Sequence, residues 1–230
     1  MKKGAFRFAI GMGVVTGLLT SVAISSQMDQ KFAQAQRQNA QALRQYTWKS
    51  RTEIQKGGET KNAQVNQMRY GADGAIEKTL VASTPQQKLP TRGLRGLIAQ
   101  KKKEDFLETL DGLTKLARSY GELAPDVMER FMAAAVVTPE MGSEQKLIRI
   151  SGGGVLQPGD SMTVWVDAVT RRMRKVEVQT ALEGKPVRVV SDFQDLPAGP
   201  TYMARSAVDY PSKELTLITE NFDYESLIKR

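Results

Sequence analysis

The sequence predicts an α+β domain in which one strongly curved antiparallel sheet of about nine strands carries helices over its concave face. Three observations predict it. Period-two apolar runs recur over residues 44–82 and again from 146 to 224, and the gaps between them are too short for crossover helices, so neighbours pair antiparallel. Amphipathic helical patterning is confined to two stretches, 28–43 and 92–135. A large twisted sheet curls and needs a cover for its apolar hollow, and these helices are the amphipathic elements at hand.

The elements follow in order. Lys2, Lys3 and Arg7 precede a continuous apolar stretch, Phe8–Ile24, which is the basic-then-apolar pattern of a Sec-type signal peptide. Ala23 and Ser25 permit cleavage before Ser26, leaving one domain at 26–230 in the periplasm or secreted. The same stretch has about the minimum length for a membrane span, so an uncleaved inner-membrane anchor is the alternative. Met28, Phe32, Ala35 and Leu43 then recur at helical spacing. Tyr46, Trp48, Ser50, Thr52 and Ile54 share one face of a first strand. Gly57-Gly58 turns it into a return strand at 59–70, and the turn Gly71–Gly74 leads to a third near 75–82.

Ser83–Pro90 reads as a linker, and a helical insert occupies 92–135. Its apolar stripe runs through Leu94, Leu97, Ile98, Phe106, Leu110, Leu113, Leu116, Ala117 and Tyr120. Gly121 is placed to end one helix, Pro125 to begin the next, and Pro139 to close the helical block. Strands follow near 146–151, 161–168, 172–181, 186–194, 201–209 and 214–224.

Composition narrows the chemistry. The 230 residues include no Cys and no His. Disulfides, thiol nucleophiles, zinc–thiolate sites, iron–sulfur clusters and Ser-His-Asp triads are therefore excluded. Residues 1–25 hold three basic and no acidic groups, so cleavage lowers the formal charge from +8 to +5. That mild excess comes without a base-stacking aromatic–basic motif, and nucleic acid is not an expected partner.

Four phrases at strand starts and hairpins carry a family resemblance. They are Tyr46-Thr47-Trp48, Met68-Arg69-Tyr70-Gly71-Ala72-Asp73-Gly74, Val166-Asp167-Ala168-Val169-Thr170-Arg171-Arg172-Met173, and Phe193-Gln194-Asp195-Leu196-Pro197-Ala198-Gly199-Pro200-Thr201-Tyr202. With the element order, they make residues 28–224 resemble the periplasmic outer-membrane lipoprotein carrier family (LolA/LolB-like). The resemblance implies an unclosed β-barrel with a helical lid over an apolar cavity, and a buried Arg that controls it. Arg44, Arg51 and Arg69 all lie in early strands, and the choice among them stays open.

Candidate ligand-cavity residues are the period-two apolar positions Trp48, Ile54, Val164, Val166, Val176, Val178, Val187, Val189 and Phe193, with Met128, Phe131 and Met132 from a helix. The same positions would serve a filled core equally well. Arg92, Arg95, Lys101, Lys102 and Lys103 form a basic helical cluster that could meet an anionic membrane surface or a partner, or simply face water. Arg171, Arg172, Arg174 and Lys175 read as a solvated hairpin or strand edge. The glycines at 152–154 read as a loop, with no helix behind them to hold a phosphate. Asp160, Asp167, Asp192 and Asp195 stand at turns or strand ends, where Asp bends or caps the backbone. The expectation is a non-enzymatic carrier or chaperone for a lipid, a lipoprotein or another apolar ligand, without cofactor or metal. An envelope interaction or sensor domain with a filled core is the alternative.

Overall fold

The computed structural model describes residue 32 and residues 34–84, 93–140, 146–197 and 199–228, with backbone alone for 93–99. The apolar N-terminal stretch, the start of the first helix, most of the linker and Arg92 lie outside the described residues. The described part of helix α1 covers 34–43, with Phe32 also helical. The chain continues as β1 Tyr46–Lys56, β2 Glu59–Tyr70, β3 Ile76–Ser83, α2 Gly93–Gly121, α3 Pro125–Ala134 and β4 Val136–Pro139. It ends with β5 Leu147–Gly153, β6 Ser161–Asp167, β7 Met173–Leu182, β8 Lys185–Asp195, β9 Thr201–Tyr210 and β10 Leu215–Ser226.

All the strands form one ten-stranded sheet in the order β3-β2-β1-β10-β9-β8-β7-β6-β5-β4. Every neighbouring pair is antiparallel. The first meander thus returns to the last strand, β1 docking on β10, and the sheet stays open with β3 and β4 at its edges. Turn chemistry fixes the hairpins. Gly57 and Gly58 both have positive φ, 60° and 79°, the backbone that a two-residue hairpin turn requires.

Three expectations need correction. Gly152 and Gly153, read as part of a loop, end strand β5 and pair with Met162 and Ser161, leaving Gly154 to begin the loop. Val136–Pro139, read as the end of the helical block, is the edge strand β4 and pairs with β5 through Ile148–Ser151. Pro139 tolerates that role because an edge strand need not donate from every residue. Ser83 belongs to β3 rather than to a linker, since it pairs with Gln64, and Thr84 still bonds Ala63.

The core lies between the β5–β10 half of the sheet and the helices. Met162, Val164 and Val166 alternate inward on β6, joined by Val178, Val187, Val189, Val208, Tyr210 and Leu215 from β7 to β10. Leu113 and Tyr120 of α2, Phe131 of α3 and Phe32 close over them. The fit is tight: a Cβ at Gly152 would stand 3.2 Å from Phe131 Cε2, and one at Gly112 would stand 3.3 Å from Leu182 Cδ2. A hollow of only about 10 Å³ remains among Phe32, Met132, Ile148, Ile150, Val166 and Arg171, room for at most one water. The opposite face of the sheet is charged, with Arg51–Glu53, Arg51–Glu220, Arg188–Glu177 and Lys175–Glu177 pairs, and with Lys175 over the Trp165 ring at 5.0 Å.

Helix α2 is held at its C-terminal end by a polar clasp. Asp160 is 4% exposed, and its carboxylate accepts backbone N–H bonds from Val155 (2.7 Å), Leu156 (2.8 Å) and Gln157 (3.0 Å). The Tyr120 hydroxyl donates to the same carboxylate at 2.6 Å and meets Thr180 Oγ1 at 2.9 Å. Gln157 Nε2 donates to Thr180 Oγ1 and, at 2.9 Å, to the Ala181 carbonyl. The loop after Gly152–Gly154 therefore does present N–H groups to an anion, and the anion is the chain's own Asp160. Burial pulls the Asp160 pKa up, but the Tyr120 hydroxyl and the three N–H groups outweigh it and hold the carboxyl below its ordinary range. Burial and the bond to Asp160 push the Tyr120 phenol up to about 12.

Candidate functional site: a cleft between helix α1 and the sheet

Toward the ends of β1, β2, β8, β9 and β10 the helical cover changes from α2 and α3 to α1, and the packing opens. A cleft of about 860 Å³ lies between α1 and the sheet. Its floor is aromatic. Trp48 stacks on Tyr224 with centroids 5.6 Å apart and planes within 7°, and Tyr70 tilts against Trp48 at 5.4 Å. Tyr202 lies 4.4 Å from Tyr224, and Tyr46 meets Tyr224 edge-on at 6.5 Å. Phe193, Met173 and Met203 extend this surface. The register shifts between Thr47 and Lys49 and between Asp192 and Phe193, so Trp48 and Phe193 both sit at irregularities that re-aim side chains.

The roof is α1, which contributes small and amide side chains, among them Ala35, Gln36, Gln38, Asn39 and Ala42. Asn39 pins it to the sheet: Nδ2 donates to the Thr201 carbonyl at 2.7 Å, and the Thr201 N–H donates to Oδ1 at 2.7 Å. The side chain thus takes the place of a neighbouring strand at the start of β9. Polar groups are part of the floor as well, since Asn221 lines the cleft and donates to the Met203 carbonyl at 2.9 Å.

Burial raises the pKa of Tyr224, and the neighbouring Tyr202 and Tyr70 act in the same direction. Tyr70 is also raised, by burial first, with Arg44 opposing and Glu122 adding to the shift. Both phenols therefore stay neutral at physiological pH and offer apolar ring faces with a polar tip.

At one rim stands the hairpin between β6 and β7. Asp167 Oδ1 accepts from the Val169 and Thr170 N–H groups, and Arg171 takes a left-handed backbone with φ 60°. Arg174 and Arg172 share Asp195, at 2.9 and 3.2 Å. Burial would raise the Asp195 pKa, but the Arg174 and Thr201 hydrogen bonds and the two guanidinium charges hold it at about 2. Arg174 Nε is buried without a hydrogen-bond partner.

The residues singled out from the sequence divide between core and cleft. Phe131, Val164, Val166, Val178, Val187 and Val189 are buried in the packed core, with Met128, Met132 and Val176 against it. Trp48 and Phe193 line the cleft, and Ile54 is half-buried on β1 opposite Leu217. Lys101, Lys102 and Lys103 are exposed on α2, which also carries Arg95. None of the three candidate arginines is buried: Arg44, which lies in the turn before β1 rather than in a strand, and Arg51 and Arg69 are all exposed, Arg51 pairing with Glu53 and Arg69 with Glu77. Sequence reasoning did not single out Tyr70, Tyr202, Tyr224 or Asn39 as site residues, although Tyr70 and Tyr202 stand in the hairpin phrases. Their signal was position, since the three tyrosines fall at strand ends that the topology gathers beside Trp48. Among the described residues there is no group of His, Cys, Asp or Glu arranged to hold a metal, and no helix long and apolar enough to cross a membrane.

What fold and site define together is an open antiparallel sheet whose hollow is half packed core and half aromatic cleft. No protein-family model matches the chain, and no curated protein does. Solved structures similar to it include a DUF1329 family protein from Desulfovibrio piger, at 7% identity and TM-score 0.42 over 91% of this chain and 94% of that one. A LolA superfamily protein from Nitrosomonas europaea is 12% identical with TM-score 0.38, over 84% and 92% of the two chains. A domain described as an outer membrane lipoprotein-sorting protein, from Vibrio parahaemolyticus, is 8% identical with TM-score 0.40, over 87% and 92%.

Proposed function

We propose that this protein is an exported, non-enzymatic carrier or chaperone that holds a lipidic or otherwise amphiphilic ligand in the cleft under α1. The observation that carries the reading is the cleft of about 860 Å³ with its floor of stacked aromatic side chains. That volume is in the range of small-molecule sites, and ring faces supply apolar contact at low conformational cost. The amides of α1 and the Tyr hydroxyls suit a ligand with a polar end, such as a lipid or the lipidated end of a lipoprotein. On this reading residues 1–25 are the signal peptide, 26–230 a single carrier-like domain with the helical insert 92–135, and the compartment is the periplasm. The cluster Arg92, Arg95 and Lys101–Lys103 would serve as a contact with an anionic membrane surface or a partner.

Lipid extraction and native mass spectrometry of protein purified from its own envelope test the reading. A stoichiometric co-purified lipid supports it. Protein that carries no lipid and takes up none when offered would contradict it. The second reading, an envelope interaction or sensor domain, draws on the packed core beneath α3, which leaves that half of the sheet without ligand space.

A further inference from the structure

The charge of the cleft is one-sided. Among the described residues lining it, the charged ones are Arg171 and Arg172, and none is acidic. Their neighbourhood disposes of most of the hairpin's positive charge. Asp195 is shared by Arg172 and Arg174, and Asp167 is occupied by the Val169 and Thr170 N–H groups, with Arg174 3.8 Å away. Arg171 makes no ion pair among the described residues. It is also the residue common to the cleft and to the small hollow beside Phe32 and Met132, so it sits where aromatic floor and packed core meet. Its backbone holds φ 60°, a conformation that costs a non-glycine residue energy and that the hairpin bonds of Asp167 enforce. A guanidinium with no carboxylate partner among the described residues, at the rim of an aromatic cleft, is suited to receive an anion from outside the chain.

We infer that the cleft selects anionic amphiphiles, with Arg171 receiving the charged headgroup and the Trp48–Tyr224 stack receiving the apolar body. The inference rests on the carrier reading and narrows its ligand class. The shared chemistry is an anionic oxygen group at the end of an apolar chain, which a fatty-acid carboxylate or a phospholipid phosphate could each supply.

The test is calorimetric titration of the chain lacking residues 1–25 with dodecanoate, dodecyl phosphate, dodecyl maltoside and dodecyltrimethylammonium, all below their critical micelle concentrations. The anionic pair should bind about tenfold more tightly than the maltoside, the scale of one charge-assisted hydrogen bond, and should weaken as salt rises. The order of dodecanoate and dodecyl phosphate tells carboxylate from phosphate. Arg171→Asn, which suits the left-handed backbone, should remove the anionic preference, so that the anionic pair and the maltoside bind the variant with the same affinity. Equal binding of all four probes, or anionic binding insensitive to both salt and Arg171→Asn, overturns the inference and leaves the carrier reading standing. Binding of none of them removes the carrier reading too. The salt titration of the parent chain decides the matter if the variant does not fold.

Discussion

Replacing Asp160 with Asn keeps the shape of the clasp and changes its chemistry. The carboxylate accepts four hydrogen bonds, from the N–H groups of Val155, Leu156 and Gln157 and from the Tyr120 hydroxyl. An Asn amide offers one oxygen and one NH2 group. If the NH2 takes the Oδ1 position, the Val155 N–H loses its acceptor; if it takes Oδ2, the Leu156 and Gln157 N–H groups do, while the Tyr120 hydroxyl can turn to accept. Even the milder arrangement leaves a buried N–H unpaired and makes the remaining bonds neutral. One buried unpaired donor costs about 1–3 kcal/mol and charge-assisted bonds are worth about twice neutral ones, so the change should destabilise by about 3 kcal/mol. For a chain of this size that lowers Tm by about 6–12 °C in circular dichroism or calorimetry. The pH dependence has a definite sign. Asp160 is held below its unfolded pKa, so its contribution is present above the ordinary carboxylate range and is lost as pH falls through the lowered folded value. Parent and variant should therefore converge in stability toward acid. A variant melting within about 2 °C of the parent at neutral pH would refute the clasp, since surface substitutions have effects of that size.

Further outcomes can be measured alongside. Leu113→Ala, at a side chain 0% exposed beneath α2, should cost about 2–5 kcal/mol in urea unfolding, with the loss set by how far the core collapses. Asn39→Ala should leave the Thr201 N–H without the partner that ties α1 to β9. Amide exchange at Thr201 should then accelerate, global stability should fall by about 1–3 kcal/mol, and ligand affinity should fall as the roof loosens. Asp195→Asn should remove a pH-dependent component of stability. In the parent this component is fully present above the ordinary carboxylate range near about 4 and disappears as pH falls toward the folded pKa of about 2. Acid titration of unfolding should be flatter in the variant across that window.

The strands were legible because their punctuation is chemical. Gly57-Gly58, Gly71–Gly74 and the Asp167 hairpin demand particular backbone conformations, and the runs between them alternate strictly enough to set boundaries within a residue or two. Strand β4 escaped because four residues at an edge carry little periodicity and Pro139 punctuates a helix end as readily as an edge strand. The role of Asp160 escaped because a carboxylate in a Gly- and Pro-containing loop has the composition of a solvated turn; only the fold brings Tyr120, itself bonded to Thr180, onto it. The site was half legible. Alternation assigned Val164, Val178 and Val189 to the concave face together with Trp48, but it has no bearing on what covers each position. Phe131 fills the hollow over one half, while α1 spans the other half and leaves room. The distinction is between tertiary partners, and the spacing of a strand is the same over either.

Occupancy of the cleft can be read from Trp48 itself. The chain has two tryptophans, and Trp165 lies on the charged face of the sheet under Lys175, so a Trp165→Phe variant isolates the cleft's own reporter. Titrating that variant with dodecanoate below its critical micelle concentration, while following Trp48 emission, should give a saturable change at one ligand per chain. Emission that stays constant in a folded protein, at amphiphile concentrations that label other lipid-binding proteins, would contradict a ligand cleft between α1 and the sheet.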